Sequence, residues 1–287
     1  MRSLLPVAAV VAAIISVWYA LAVQMNSDWA LDRAGQNGIE LSFGALVKNT
    51  MSQDRPLLPA PHQVAVELWE TTVEKKITSK RSLVHHGLIT LSATVFGFAI
   101  GTALGILLAV GIIHSRAMNM SIMPWAIASQ AVPILALAPM IIVVLYSIGV
   151  SGLLPKATIS AYLSFFPVVV GMVSGFRSPD PMQFDLLKTY AANPWQAFWK
   201  LRVPASMPYL FTSLKVGIAA SLVGAIVGEL PTGAVAGLGA RLLAGSYYGQ
   251  TIQIWSALIS AATLAALLVG SIGIAQRLTL RRMGMLR

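Results

Sequence analysis

Four histidines, ten carboxylates and no cysteine are the groups from which this chain could build a metal centre, an acid–base pair or a nucleophilic site. Their placement argues against all three. His62, His85, His86 and His114 each fall in or beside a loop, no H-E-x-x-H occurs, and no two acidic residues share an apolar run. The lack of cysteine excludes a disulfide framework, a thiolate metal site and a thiol nucleophile. His85 and His86, at a helix entrance, read as interfacial side chains, because adjacent residues rarely converge on one metal. The G-x-x-x-x-G-K-[ST] loop that cradles nucleotide phosphates is missing from the sequence. The chain is therefore read as no enzyme, with no cofactor of its own.

The informative residues are those that position backbone. Asp180-Pro181-x-Gln183 and Asn193-Pro194-x-Gln196 each supply an N-cap, a first-turn proline and a capping-box glutamine. They predict two short helices, about 181–191 and 194–202, with a turn between. The first is expected to bury Leu186, Leu187 and Tyr190, and the second offers Trp195, Phe198 and Trp199 beside Lys200 and Arg202. Such a hairpin suits docking of a soluble partner through aromatic and basic anchors; tryptophans at headgroup level are the plainer alternative. Glu229 ends an apolar run beside Pro231 and Gly233, which places it at the outer interface as a candidate gate. Pro133 and Pro139 delete hydrogen bonds to the carbonyls of Ser129 and Leu135 and are expected to bend their helix. Gly97, Gly101 and Gly105, and Gly224 with Gly228, have the G-x-x-x-G spacing that lets helices approach closely. Pro133, Pro139, Gly224, Gly228 and Glu229 are the candidate gate or pathway residues.

The elements behind these residues are membrane spans. With 56% hydrophobic residues, 10% charged and a mean hydropathy of +0.75, a water-soluble globule is excluded. Six apolar runs reach the roughly 20 residues that a bilayer core requires: Leu4–Val23, Gly87–Ile113, Ile122–Ile148, Ala157–Phe176, Met207–Glu229 and Ile252–Ala275. The fold class is an all-α polytopic membrane protein with six transmembrane helices. Residues 1–23 form the first of them, read as an uncleaved anchor although Ala20-x-Ala22 resembles a signal cleavage site. Residues 24–86 form an external segment, and 87–287 a five-helix core with a cytoplasmic loop at 177–206.

The net charge of +10 is topological. Residues 24–86 hold seven basic and seven acidic side chains, so the excess lies elsewhere. It concentrates in the 114–121 loop, the 177–206 loop and the ends of the chain (Arg2, Arg277, Arg281, Arg282, Arg287), leaving Lys156 and Arg241 to the alternate loops. The positive-inside rule then puts both termini in the cytoplasm, and nucleic acid is excluded as a partner. In the external segment, Val66, Trp69, Val73 and Ile77 share a helical face, so about 62–78 reads as an interfacial amphipathic helix on the lipid bilayer. Packing on the chain's own spans is the alternative.

The 177–206 loop resembles the E-A-A-x3-G-x9-I-x-L-P signature of permease subunits of bacterial ATP-binding-cassette (ABC) importers. Asp185 stands for the Glu, Leu186 and Leu187 for the two Ala, Ala191 for the Gly, and Leu201-x-Val203-Pro204 for the ending. Leu58-Pro59-Ala60-Pro61, the Pro133/Pro139 span with Gly149, and Glu229 ahead of Gly237-Leu238-Gly239 look like the nitrate/sulfonate/taurine-type branch. The resemblance implies a type I importer permease fold in a bacterial inner membrane. It also implies a coupling segment of Asp185, Leu186, Leu187, Lys188, Ala191, Ala192, Asn193 and Pro204 seated on an ABC ATPase. The expected partners are two ATPase copies carrying ATP and Mg²⁺, a second permease copy (a homodimer being simplest) and an external solute-binding protein. The expected mechanism is alternating access for a small polar solute. An ion- or proton-coupled secondary transporter is the alternative, and a membrane scaffold using the hairpin only for docking is a third reading. In the family, Gly stands where this chain has Ala191, which costs energy if that residue needs a positive φ.

Overall fold

The computed structural model describes residues 4–38, 41–231 and 236–285. Arg2, Gly233 and Arg287, used above for topology and for the setting of Glu229, lie outside the described residues. In chain order the helices are α1 (Leu4–Gln36), α2 (Phe43–Thr50), α3 (Pro61–Trp69), α4 (Leu83–His114), α5 (Arg116–Ser129), α6 (Ile134–Ser147), α7 (Leu153–Phe176), α8 (Pro181–Thr189), α9 (Pro194–Ala197), α10 (Val203–Glu229), α11 (Leu238–Tyr247) and α12 (Thr251–Arg282). Five helical segments are long and apolar enough to cross a membrane, or six if the bent α5–α6 pair is one span. Two compact units divide the chain: residues 1–87 with 240–261, and residues 88–239 with 262–287.

In the first unit, α1 does not stop where its apolar run ends at Val23 but continues to Gln36. The 24–58 stretch, which shows no periodic pattern, is organised by side chains bonded to backbone. Buried Asn26 donates from Nδ2 to the Leu58 carbonyl (2.8 Å) and accepts at Oδ1 from the Leu57 and Leu58 N–H groups (2.8 and 3.2 Å). The Gln53 side chain donates to the Asn26 carbonyl (3.2 Å), and Gln63 donates to the Gln53 carbonyl (2.9 Å). Trp18 Nε1 donates to the Pro59 carbonyl (3.0 Å). Because a buried amide costs free energy unless bonded, these contacts fix the irregular connection between α2 and α3 against α1. The expected 62–78 helix is shorter than its pattern: α3 runs into a π-helical turn at Glu70–Glu74 and ends as Lys75 becomes extended. Its apolar residues Val66, Trp69 and Val73 are exposed, as is Ile77 beyond its end, while Val64 and Thr71 are buried.

The second unit is built around α7, whose close contacts with α4 and α10 explain the glycine spacings. A Cβ at Gly97 would lie 2.4 Å from Ser160 Cβ and 2.5 Å from the Ala157 carbonyl oxygen; at Gly101 it would lie 2.7 Å from the Ala161 carbonyl oxygen, and at Gly105 2.8 Å from Val168. From α10, a Cβ at Gly224 would lie 2.8 Å from Ser160 Cα on the same stretch of α7, and one at Gly228 3.2 Å from Lys156 Cα. Hydroxyls fill the seam that remains. Ser160 Oγ donates to the Ser221 carbonyl, and Ser221 Oγ donates to the Thr94 carbonyl (2.9 Å). One end of α7 is packed by Phe165, Val168, Val169, Met172, Val173 and Phe176 against Ala109, Ile112, Ala126 and Phe198.

The expected single span Ile122–Ile148 is two helices meeting at 103°. Pro133 has extended backbone and precedes the first turn of α6, so the break falls there; a proline ring pushes the chain out of helix at the preceding residue. Pro124 and Pro139 are accommodated inside α5 and α6. The prediction from the seam concerns close packing. Gly97→Ala places a methyl group inside contact distance of α7 and should lower stability by about 1–3 kcal/mol, read as an earlier thermal transition in detergent. Gly270→Ala, where an added Cβ meets nothing within 4 Å, should leave that transition unchanged.

Candidate functional site

The hairpin forms where its caps place it. Asp180 accepts from the Met182 N–H (2.8 Å) and Gln183 Oε1 accepts from the Asp180 N–H (3.2 Å). Asn193 Oδ1 accepts from the Gln196 N–H (2.8 Å), with Gln196 Oε1 accepting from the Asn193 N–H (3.0 Å). Both are reciprocal capping boxes. The second expected short helix is not separate, however. From α9 the chain passes through a π-helical turn, Phe198–Arg202, directly into α10, so Pro194–Glu229 is one helical span of 36 residues.

Between α8 and α9 the chain reverses through a Schellman turn. The Ala192 N–H donates to the Leu187 carbonyl (3.0 Å) and the Ala191 N–H to the Lys188 carbonyl (2.9 Å). This closes the last carbonyls of α8 and requires the left-handed region at Ala191, whose φ is +55°. Ala191 is the one non-glycine residue with positive φ among the described residues, so the resemblance's Gly-to-Ala change falls where a Cβ is strained. Asn193 caps the following helix, as expected, but does not relieve the turn.

The exposure of α8 differs from expectation. Leu186 is 56% exposed and Tyr190 76% exposed rather than buried, and Met182 joins them one turn earlier on the same face. Only Leu187 turns partly inward, with Phe184, lining a cleft of about 250 Å³ also formed by His114, Phe198 and Arg202. Arg202 lies over the Phe184 ring (4.9 Å) and donates to the Phe176 carbonyl (3.4 Å). Buried Phe198 meets the edges of His114 (5.2 Å) and Trp199 (5.3 Å) and leaves Trp195 and Trp199 exposed. Asp185 and Lys188 form a solvent-exposed ion pair at 2.8 Å, which adds little stability. Pro204 occupies the first turn of α10.

Glu229 is not solvated: it is completely buried. Thr90 Oγ1 donates to its carboxylate (2.9 and 3.1 Å to the two oxygens), and the Gly239 N–H donates to Oε2 (2.8 Å). The same threonine oxygen accepts from the Leu238 N–H (2.9 Å). Gly237, at φ +129°, passes so close that a Cβ there would fall 2.2 Å from Glu229 Cδ. The carboxylate thus clamps the Gly237–Gly239 turn to the ends of α4 and α10. Gly224 and Gly228 pack against α7, and Val227 between them meets Ala138 and Ile142 of α6. The sequence reading missed Thr90, Thr94, Ser160 and Ser221; a signal for the first two was present, since Thr90, Thr94, Gly97, Gly101 and Gly105 fall on one face of α4.

These features, among the described residues, define a class: an all-helical, multi-pass membrane protein with a capped helical hairpin between two spans. Residues 101–285 match the family of binding-protein-dependent transport system inner membrane components, and the chain belongs to that family, as an ABC importer permease of the nitrate/sulfonate type. It is similar to the riboflavin transport system permease protein of Chloroflexus aurantiacus, 31% identical over 225 residues that cover 78% of this chain and 80% of the relative. It is also similar to the formylaminopyrimidine transport permease protein of Halalkalibacterium halodurans, 32% identical over 184 residues covering 64% of this chain and 68% of the relative. The putative aliphatic sulfonates transport permease protein of Bacillus subtilis is 23% identical over 211 residues, 74% of this chain and 72% of that protein.

Two outcomes follow from this geometry. Ala191→Gly removes a strained Cβ and should stabilise the turn by about 1 kcal/mol after the glycine entropy cost, seen as slower hydrogen exchange at the Ala191 and Ala192 amides. Glu229→Gln leaves one acceptor where two donors converge and should cost about 1–3 kcal/mol, with loss of protection at the Gly239 amide as the local readout.

Proposed function

We propose that this permease subunit moves a small polar solute by alternating access, driven by a separate ABC ATPase that grips the 185–204 loop. The observation that carries the reading is the exposed apolar face of α8. Met182, Leu186 and Tyr190 project from a helix fixed by a capping box at one end and a Schellman turn at the other. An apolar face on a rigid, polar-capped helix is a surface suited to a groove in a soluble partner. Asp185, Lys188, Ala192 and Asn193 complete the rim, and Pro204 lies at the start of the span that would carry the motion.

The reading extends to the assembly. Two ATPase copies hold ATP and Mg²⁺, the permease pairs with a second copy of itself, and an external binding protein delivers the solute. The chain lies in a bacterial inner membrane with both termini cytoplasmic. Pro133, at the α5–α6 break, and Pro139 within α6 are the proposed pathway positions; Gly224, Gly228 and Glu229 hold the frame around it. The ion-coupled alternative is disfavoured because Glu229, the one carboxylate in the spans that follow α1, is engaged by Thr90 and Gly239.

The test is Leu186→Asp in the full permease complex. The ATPase should no longer co-purify and ATP-driven uptake into proteoliposomes should cease, while the permease remains inserted and folded. Retained co-purification with normal uptake would remove α8 from the coupling role.

A further inference from the structure

The first unit holds a cleft that the coupling reading does not use. Its volume is about 680 Å³, within the range of small-molecule sites. Arg55, Lys75, Arg81 and Arg241 line it, opposed by Asp54, Glu67 and Glu70, so the lining carries one excess positive charge. Arg241, from α11, is the deepest of these cations: its side chain is only 16% exposed. Its Nε is buried and has no hydrogen-bond partner among the described residues. Its nearest carboxylate oxygen, Glu67 Oε1, stands at 3.9 Å, beyond hydrogen-bond length. Burial and the neighbouring Arg81 both push the Arg241 pKa below its ordinary value, and Glu67 only partly offsets them. The backbone of Arg241 is meanwhile fixed by Gln253, which donates to its carbonyl (3.1 Å). A guanidinium is a planar fork of five donors that remains charged at neutral pH. One held in a cleft with an unused buried N–H and a second guanidinium nearby is under-compensated.

We infer that this cleft is an oxoanion site, in which Arg241, backed by Arg81, takes the carboxylate, sulfonate or phosphate group of a small solute. The anion would supply the acceptor that Arg241 Nε lacks, in the bidentate geometry arginine favours. Glu67 competes with it for the same guanidinium. Binding here is independent of the ATPase assignment, so the test uses binding to the full chain and not transport.

The full-length protein, in nanodiscs of zwitterionic lipid at low ionic strength, is titrated calorimetrically with sulfate, inorganic phosphate and acetate, with chloride as background. Saturable binding of at least one oxoanion is expected. Arg241→Gln should weaken it about tenfold or more, the loss of a charge-assisted hydrogen bond. Glu67→Gln should tighten it several-fold by removing the competitor, a gain that a purely structural ion pair would not give. Arg277→Gln, in the C-terminal part of α12, should leave it unchanged. If Arg241→Gln fails to fold, Glu67→Gln alone decides, since unchanged or weaker binding there overturns the proposal. Failure of every oxoanion to bind the folded protein, or equal affinity in Arg241→Gln, also overturns it. So does binding confined to an acidic peptide, which would make the cleft a protein-docking surface.

Discussion

The mutual close approach of α4, α7 and α10 is the constraint on which the second unit depends. Helices immersed in lipid gain nothing from hiding apolar side chains from water, because the surrounding chains are equally apolar. They are held by dispersion at short range and by hydrogen bonds across the contact. The glycines of α4 and α10 remove the side chains that would keep α7 away, and Ser160, Ser221 and Thr94 then bond through the gap. Both features fail together if the distance grows, because a hydroxyl that cannot reach its carbonyl becomes an unsatisfied polar group in an apolar medium. The Glu229 clamp belongs to the same logic: Thr90 and the Gly239 amide reach a carboxylate that is completely buried.

What was legible in the sequence follows from which interactions leave local marks. Caps do: Asp180, Pro181 and Gln183 sit within four residues, and so do Asn193, Pro194 and Gln196, and both capping boxes formed as read. Apolar length does too, and five of the six expected runs lie within continuous helices. The bend at Pro133 was readable in kind but not in size, since a proline dictates what its neighbour cannot do and leaves the new direction to tertiary packing. The partner in a long-range polar contact leaves no such mark. Asn26 bonding to Leu57 and Leu58, or Thr90 meeting Glu229 across 139 positions, has no periodicity to detect. Glu229 was placed at the interface because charge near a helix end is ordinarily solvated, and the partner that makes burial affordable is remote in sequence.

The hairpin shows the reverse case, where the sequence pattern was right about position and wrong about exposure. Leu186 and Tyr190 follow a spacing that reads as a buried face, yet both are open to solvent. Inward contacts are made instead by Phe184 and Leu187 against Phe198 and Arg202. Periodicity establishes that a helix has an apolar side; it does not say whether this chain or another covers it. Ala191 is related to this, because the turn that presents the face persists despite a residue poorly suited to its φ.

The fusion of α9 with α10 has a mechanical consequence. Thirty-six residues in one helical span make a rod about 54 Å long at 1.5 Å per residue. Its N-terminal end carries the exposed indoles of Trp195 and Trp199 and its C-terminal end the buried Glu229. A sideways load on the indole end would reach the Glu229 end as leverage about the contact with α7, less what the span flexes at Pro208, where a helix bond is missing. The π-helical turn at Phe198–Arg202 lies close to the loaded end, where a loosened hydrogen-bond ladder yields first. Small loads are therefore absorbed as local flexing, and only a sustained one tilts the whole lever.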